Sequence, residues 1–203
     1  MDLFEAIHSQ RAMRRLRTDP VPDDLIWKLL EAAIRAPSGG NRQPWNFIVV
    51  RDPDTKTKIA EWYLDGWNKS YGPARGASTA NHAIAKTLAS ADHLAHHLAE
   101  VPVLIIGTIR STGGAADLLS GASIYPALQN LMLAARALGL GTTLTTLHRA
   151  HEAEVKQLLS VPEDVETVAL IPVGWPKGKF GAGPRMPAAK VTYWDKWGST
   201  RQP

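Results

Sequence analysis

The sequence predicts one domain that combines amphipathic helices with buried strands. At 203 residues the chain is long enough for a single sizeable core, and two small domains are less favoured. Apolar residues recur at helical spacing after Asp23, which predicts a helix with one buried side. The continuous apolar run Val101–Gly107 predicts a buried strand.

The composition is that of a soluble globular protein, with 44% hydrophobic and 21% charged residues. Because the chain has no cysteine, disulfides, thiolate metal sites and cysteine nucleophiles are excluded. We see neither a signal peptide nor an apolar run of membrane-spanning length, so we expect a cytoplasmic protein with no membrane partner. The net charge of +4 comes without a recognisable nucleic-acid reading element, so no nucleic-acid partner is expected.

Acidic residues mark the start of the first two helices. Asp2 and Glu5 form an Asp-x-x-Glu capping box, which predicts a helix from Leu3. The prolines of Pro20–Pro22 predict an extended connection, and the acidic pair Asp23–Asp24 then begins a second helix.

The stretch Ala36–Trp45 joins the second helix to a strand predicted at Trp45–Arg51. Its small residues Ser38–Gly40 allow the backbone to approach another group closely. Asn41 and Gln43 add amide donors and acceptors, which suits a flat polar ligand edge such as a flavin pyrimidine. An ordinary helix-to-strand connection fits the same residues equally well.

A third helix is predicted from Asp52 to about Trp67. Glycines then interrupt the pattern between residues 66 and 78, next to the aromatic residues Trp62, Tyr63, Trp67 and Tyr71. This composition slightly favours a mobile lid over a surface loop whose aromatic side chains pack on the core. We expect Trp67 and Tyr71 to line a substrate pocket.

A polar helix is predicted from about Thr79 to Ala99, and His93, His96 and His97 could lie on one face of it. A metal site would need further ligands and supporting contacts, and no acidic or histidine partner stands at a diagnostic spacing. We therefore expect no metal.

The C-terminal half alternates helices with extended segments. The predicted elements are a central helix over Ser120–Leu138, a hydroxyl-rich extended segment over Thr142–Leu147, a short helix over Glu152–Leu159 and a strand over Val165–Val173. Pro126 fits the first turn of the central helix or kinks it, and the glycines of Gly139–Gly141 end it.

No side-chain catalytic machinery is recognisable. Gly139–Gly141 lacks the third glycine of a dinucleotide fingerprint and follows a helix, whereas the fingerprint follows a strand. Walker A, His-Glu-x-x-His and Gly-x-Ser-x-Gly motifs do not occur. A bound cofactor that carries the chemistry would explain this, so we expect no catalytic side chain.

Several motifs, in this order and spacing, resemble the flavin-dependent nitroreductase family over nearly the whole chain. They are Arg11–Arg14, Pro20–Pro22, Ala36–Trp45, Ala137–Gly141, Val173–Pro176 and Arg185. The Ala-Pro-Ser turn with its Asn and Gln-Pro-Trp is the most specific of them, whereas Gly-Leu-Gly alone would be weak.

The resemblance implies an α+β fold, a three-layer sandwich in which helices flank a central, mostly antiparallel sheet. It implies an intertwined homodimer with FMN bound between the subunits. Residues 1–203 would form one domain, with 186–203 as a C-terminal tail that wraps the partner. The tail has few core-forming residues of its own apart from Val191, Tyr193, Trp194 and Trp197.

The resemblance also implies which residues bind the cofactor. Residues of the first motif would hold the phosphate, ribityl chain and pyrimidine edge, those of the turn would reach the flavin from the partner subunit, and those of the hydroxyl-rich segment would lie along the isoalloxazine near N5. They are Arg11, Ala12, Met13 and Arg14; Pro37, Ser38, Gly39 and Asn41; and Leu144, Thr145 and Thr146. Arg185 would close on the phosphate.

The first motif departs from the family pattern. The family often has Arg-Arg-Ser where this chain has Gln10, Arg11 and Ala12, so one cation and one hydroxyl are missing. Leu16 stands where an aromatic residue is usual, and Arg15 could replace the missing cation.

The implied function is an FMN-dependent oxidoreductase that passes hydride from NADH or NADPH to a small oxidant, such as a nitroaromatic or a quinone, by a ping-pong mechanism. Two alternatives use the same fold, a reductive dehalogenase of the iodotyrosine type and a flavin-destroying enzyme. A non-catalytic flavin- or nucleotide-binding carrier and a basic nucleic-acid-binding module are the alternatives of another class.

Overall fold

The computed structural model describes residues 1–72, 82–110 and 118–201, with the side chains of residues 118 and 119 excepted. The helices are α1 (Leu3–Ser9), α2 (Asp23–Ala33), α3 (Pro53–Tyr71), α4 (His82–His97), α5 (Leu118–Ala137) and α6 (Glu152–Leu158). The strands are β1 (Trp45–Val50), β2 (Val103–Arg110), β3 (Gly141–Thr142) and β4 (Val165–Gly174). Short 3₁₀ segments cover Gly39–Asn41, Leu98–Glu100, Leu147–His151 and Ala188–Lys190.

The strands form one antiparallel sheet in the order β1-β2-β4-β3. A register shift occurs at Gly107 and Thr108 of β2. A Cβ at Gly107 would lie 2.9 Å from Leu128 Cδ2, so the glycine lets α5 approach the sheet closely. The predicted antiparallel sheet is confirmed.

Helices cover both faces of the sheet. Successive residues of a strand point to opposite faces, so neighbouring residues of β2 pack against different helices. Ile105 of β2 packs in a core with α2 and α5, where Leu29 is fully buried. Its neighbour Ile106 packs in a second core with α3, α4 and α6, where Ile59 is fully buried. The three-layer α+β sandwich is therefore confirmed.

Side-chain caps fix two helix starts where the sequence predicts them. Asp2 Oδ1 accepts hydrogen bonds from the backbone N–H groups of Phe4 and Glu5. Asp52 Oδ2 accepts one from Thr55 N–H at 2.8 Å, with Pro53 at the first helical position.

The aromatic segment differs from its prediction. Helix α3 does not end near Trp67 but continues to Tyr71, so Trp62, Tyr63, Trp67 and Tyr71 all lie on a helix. Gly66 lies inside this helix and packs against the 3₁₀ helix Leu147–His151, where an added Cβ would lie 2.6 Å from the Leu147 carbonyl oxygen. Residues 73–81, which include the remainder of the predicted lid, lie outside the described residues.

Other boundaries shift by a few residues. The strand predicted at Val101–Gly107 runs from Val103 to Arg110, and the helix predicted from about Thr79 is described from His82. Pro126 lies inside α5 and not in its first turn. None of the helices in the described part of the chain has the length and apolarity needed to cross a membrane.

Candidate cofactor site

Two adjoining cavities meet at the half-buried side chain of Arg14. The first, here called the aromatic cavity, has a volume of about 340 Å³ and lies between α3, α4 and the segment after β3. Its lining comprises Arg14, Tyr63, Trp67, Tyr71, Thr87, Leu88, Ala91, Leu144, Thr145, Thr146 and Leu147.

The second cavity, here called the basic groove, has a volume of about 350 Å³. Its lining comprises Arg11, Ala12, Met13, Arg14, Arg15, Ser90, Lys177, Gly178 and Lys179. Five of these residues are cationic, and no carboxylate lines the groove among the described residues.

The backbone after α1 places the arginines at the edge of the sheet. Met13 N–H donates to the Thr142 carbonyl at 2.8 Å, and Ala12 forms a bridge with Thr142 of β3. Lys177 N–H donates to the Arg15 carbonyl at 2.9 Å, which holds the lysine-bearing segment beside the arginines. Gly141 allows this approach, because a Cβ there would lie 2.9 Å from Met13 Cβ.

Positive charge in the basic groove is only weakly compensated. Arg15 Nη1 donates to His93 Nδ1 at 3.3 Å, a contact that supplies no negative charge. Burial lowers the pKa of the Arg14 guanidinium, and its side chain makes no hydrogen bond or ion pair with the described residues. A groove of this kind is suited to an anion such as a phosphate, which arginine can bind through two parallel hydrogen bonds.

The aromatic cavity combines flat apolar walls with hydroxyl groups. Tyr63 is only 3% exposed, and its phenol oxygen lies 3.0 Å from Thr145 Oγ1. The Trp67 ring stacks on Tyr71 with centroids 4.7 Å apart, and Trp67 Nε1 donates to Asp92 Oδ1 at 2.9 Å. These walls suit a flat ring with polar edges.

The structure therefore brings together two of the predicted groups of cofactor residues. Arg11–Arg14 and Leu144–Thr146 lie at the two cavities that share Arg14. Trp67 and Tyr71, predicted to line a substrate pocket, line the same aromatic cavity as Thr145. The donors present fit a molecule with a phosphate at one end and an aromatic ring system at the other.

The predicted turn residues lie elsewhere in the single chain. Pro37, Ser38, Gly39 and Asn41 line neither cavity. The turn is tightly wound, because Gly40, Asn41 and Gln43 all have positive φ, and Gln43 Nε2 donates to Asn41 Oδ1 at 3.2 Å. The positive φ angles of Asn41 and Gln43 strain the backbone locally, and strain of this kind is common at ligand contacts.

Arg185 also lies away from both cavities. Its side chain is exposed, and Nη1 donates to the carbonyl oxygen of neighbouring Pro184 at 3.0 Å.

Sequence reasoning did not assign Tyr63, Lys177 or Lys179 to the site. Tyr63 lies one helical turn before Trp67 and two before Tyr71, so helical spacing could have placed all three on one face of α3. Lys177 and Lys179 directly follow the Val173–Pro176 motif, but no pattern in the sequence shows that this segment returns to Arg15.

Among the residues that the structure describes, no group of three His, Asp or Glu side chains could hold a metal ion. His93 instead stacks on His97, with ring centroids 4.2 Å apart.

Comparisons with known proteins show which proteins the chain resembles over most of its length. The model of the nitroreductase family matches residues 7–175. A "NADH dehydrogenase" of Thermus thermophilus is 30% identical over 201 residues and covers 96% of both chains. "Iodotyrosine deiodinase 1" of Rattus norvegicus is 29% identical over 181 residues, which are 86% of this chain and 62% of the deiodinase.

A solved structure has a similar fold. The structure of oxidised iodotyrosine deiodinase bound to FMN and 3-iodo-L-tyrosine superposes with a TM-score of 0.73 and 25% identity. The similarity covers 92% of this chain and 96% of the deiodinase chain.

Proposed function

Because the chain belongs to the nitroreductase family, we propose that it is an FMN-dependent oxidoreductase that passes hydride from NADH or NADPH to a small oxidant. The oxidant would be a nitroaromatic, a quinone or a similar molecule. The observation that carries the proposal is the pair of cavities joined at Arg14, one basic and the other aromatic with hydroxyl groups.

The chain would bind and orient the flavin, and the flavin would supply the hydride chemistry. Arg11 and Arg14 would bind the phosphate, with Arg15, Lys177 and Lys179 in the same groove replacing the cation that is missing at Gln10. Leu144, Thr145 and Thr146 would contact the ring.

Trp67 and Tyr71 would shape the space in which donor and oxidant bind in turn. Shared use of one space by both substrates is the physical basis for the ping-pong order, because the oxidised nicotinamide must leave before the oxidant enters. No catalytic side chain is required in this scheme.

The proposal includes a homodimer. The turn residues Pro37, Ser38, Gly39 and Asn41 would complete the flavin site from the partner subunit, and Arg185 would close on the phosphate. The tail 186–203 would wrap the partner, since its apolar residues are exposed in the single chain. The expected cytoplasmic location stays a prediction.

A reductive dehalogenase is the second candidate, because relatives of similar identity include the rat deiodinase. A zwitterionic amino-acid substrate needs binding groups of both charges, and the stretch Trp62–Tyr71 of α3 offers Asp65 and Lys69. Lys69 Nζ lies 2.6 Å from Asp65 Oδ2, so the two are paired with each other, and neither lines the aromatic cavity. Within the part of the chain that the structure describes, this pairing favours the general oxidoreductase.

The test starts from the absorbance spectrum of the purified protein after incubation with FMN. We expect a bound-flavin spectrum that bleaches when NADH or NADPH is added without oxygen and returns when a nitroaromatic or quinone is added. Initial rates should give parallel double-reciprocal plots for a ping-pong order. A protein that does not bind FMN would overturn the proposal.

The same assay separates the alternatives. A flavin-binding carrier would bind FMN but would not oxidise NADH or NADPH with any acceptor. A dehalogenase would release iodide from 3-iodotyrosine faster than it reduces quinones. A flavin-destroying enzyme would lose the flavin ring when the reduced protein meets oxygen.

A further inference from the structure

The phenol of Tyr63 is a buried polar group in the wall of the aromatic cavity. Tyr63 lies on α3 and is only 3% exposed, and its phenol oxygen lies 3.0 Å from Thr145 Oγ1 in the segment after β3. The contact joins residues 82 positions apart in the sequence, and both line the cavity that Arg14 enters.

The direction of this hydrogen bond follows from what each group can donate. Burial raises the pKa of the Tyr63 phenol, so it keeps its proton at neutral pH and has one hydrogen to donate. A buried O–H requires an acceptor, and Thr145 Oγ1 is the acceptor that the described residues place within reach. Thr145 Oγ1 also carries one hydrogen, but a phenol is the more acidic hydroxyl and the stronger donor, so we assign Tyr63 as the donor and Thr145 as the acceptor.

The threonine hydroxyl then keeps its own hydrogen for another acceptor. Two backbone hydrogen bonds to β4 fix the position of Thr145. Its N–H donates to the Leu170 carbonyl at 3.0 Å, and its carbonyl accepts from the Leu170 N–H at 2.8 Å. A threonine side chain also has few χ1 rotamers. With one lone pair occupied by Tyr63, the hydroxyl hydrogen is available to a group bound in the cavity.

We infer that Tyr63 is a positioning residue that fixes the Thr145 hydroxyl as a hydrogen-bond donor to the bound ring. The inference rests on the proposed function, which puts the flavin ring in this cavity. A donor held in place before the ring binds stabilises negative charge that develops on the acceptor atom, without reorganisation of the site. Tyr63 does this through Thr145, whose hydroxyl it holds.

The experiment measures the hydrogen bond directly, with FMN labelled with nitrogen-15 in its ring and bound to the protein. Hydrogen bonding moves the NMR resonance of an acceptor ring nitrogen. We expect Thr145→Val to move that resonance toward its position without a hydrogen bond, and Tyr63→Phe to move it in the same direction. The double variant should shift it no further than Thr145→Val alone, because Tyr63 acts through Thr145.

The matched control is Tyr125→Phe, the same chemical change on α5 at a residue that lines neither cavity. Its flavin resonances should equal those of the wild type. The FMN dissociation constant of Tyr63→Phe should change by less than about tenfold, because one neutral hydrogen bond is altered and the phosphate contacts remain.

A second substitution keeps the shape of the residue should Tyr63→Phe fail to fold. Incorporation of 3-fluorotyrosine at position 63 makes the phenol a stronger donor, so the ring-nitrogen resonance should move beyond its wild-type position. An unchanged resonance in Tyr63→Phe or in the fluorinated protein, with FMN bound, would overturn the inference while leaving the proposed function standing. A wild-type protein that binds no FMN would overturn both.

Discussion

Arg14 and Arg11 both contribute positive charge to the site, but they differ in how deeply they are buried. Arg14 is half-buried where the two cavities meet, and burial lowers its pKa. Arg11 is exposed in the basic groove, where Arg15, Lys177 and Lys179 add further positive charge. The phosphate contacts are therefore spread over two segments of the chain, and no single arginine is expected to account for all of the affinity.

We expect Arg11→Ala to weaken FMN binding by roughly 1.5–3 kcal/mol, because a charge-assisted phosphate contact is lost. The free energy of unfolding of the apoprotein should change less, since Arg11 is exposed. Fluorescence quenching of FMN at several salt concentrations measures the affinity.

Riboflavin, which lacks the phosphate, provides the internal control for this experiment. Its affinity should be the same for wild type and Arg11→Ala. Lys28→Ala removes an exposed lysine of α2 that lines neither cavity and should leave FMN binding unchanged. Equal FMN affinities of wild type and Arg11→Ala would show that Arg11 is only a surface charge.

His148 is a second residue with a measurable consequence. It is fully buried, and neither ring nitrogen has a hydrogen-bond partner among the described residues. Burial lowers the pKa of His148 from 6.5 to about 4. As the pH falls, this histidine is therefore protonated in the unfolded chain before it is protonated in the folded protein. Stability should therefore decline from about pH 6.5 to about pH 4, by about 3 kcal/mol in total.

The measurement is urea unfolding of wild type and His148→Leu between pH 4 and pH 7. The variant has no group to titrate at this position, so its stability should fall less over the interval. Parallel curves for the two proteins would show that His148 is not the source of acid sensitivity.

At the scale of elements, a charged cluster ties α3 to the start of α6. His151 Nε2 lies 2.6 Å from Asp65 Oδ2 of α3, and His151 Nδ1 lies 3.1 Å from Glu154 Oε1. The hydrogen bond to Asp65, followed by the one to Glu154, raises the pKa of His151 above 6.5. Since α3 carries Tyr63 and Trp67, this cluster helps to hold one wall of the aromatic cavity.

The raised pKa gives a pH dependence with a definite sign. The stabilisation by protonated His151 is fully present below the unfolded-state pKa near 6.5 and is lost as the pH rises through the higher folded-state pKa. Between pH 6 and pH 8.5, wild-type stability should therefore fall relative to His151→Gln. If urea unfolding gives the same pH dependence for both proteins, the cluster does not stabilise the fold.

Helix α3 also shows where sequence patterns stop being informative. Its start follows from the cap at Asp52, which is a local signal. Its continuation past Trp67 does not follow from a local signal. The glycine at position 66 serves a tertiary contact with Leu147 and does not end the helix. The same contact decides that the aromatic residues form a cavity wall on a helix, whereas the glycines alone predict a mobile segment.

At the scale of the whole molecule, local sequence patterns predict the helices and buried strands, and the family resemblance implies their arrangement as an antiparallel sheet between helical layers. The resemblance also implies that Arg11–Arg14 and Leu144–Thr146 belong to one site, and the bridge between Ala12 and Thr142 brings these two segments of the chain together. Tyr63, Lys177 and Lys179 require the folded chain, because nonlocal contacts bring them there. The turn Pro37–Asn41 lies at neither cavity, so its proposed role depends on a second subunit.

The C-terminal tail carries exposed apolar side chains that a second subunit would cover. Val191, Tyr193, Trp194 and Trp197 are exposed, with Trp197 at 89%, although Tyr193 and Trp197 contact each other. Burial of apolar surface stabilises by about 25 cal/mol per Å² before entropy is counted, so these side chains favour a partner surface. We expect a two-fold homodimer with an interface in the obligate class, above about 2,000 Å².

Truncation after Arg185 should therefore give a monomer that also loses FMN, because the turn of the partner would no longer reach the flavin. Sedimentation at micromolar concentration and flavin absorbance measure the two losses together. Truncation after Gly198 keeps all four apolar tail residues and should remain a dimer with FMN bound. A wild-type protein that sediments as a monomer with its flavin still bound would contradict the shared site, and with it the roles proposed for Ser38, Gly39 and Asn41.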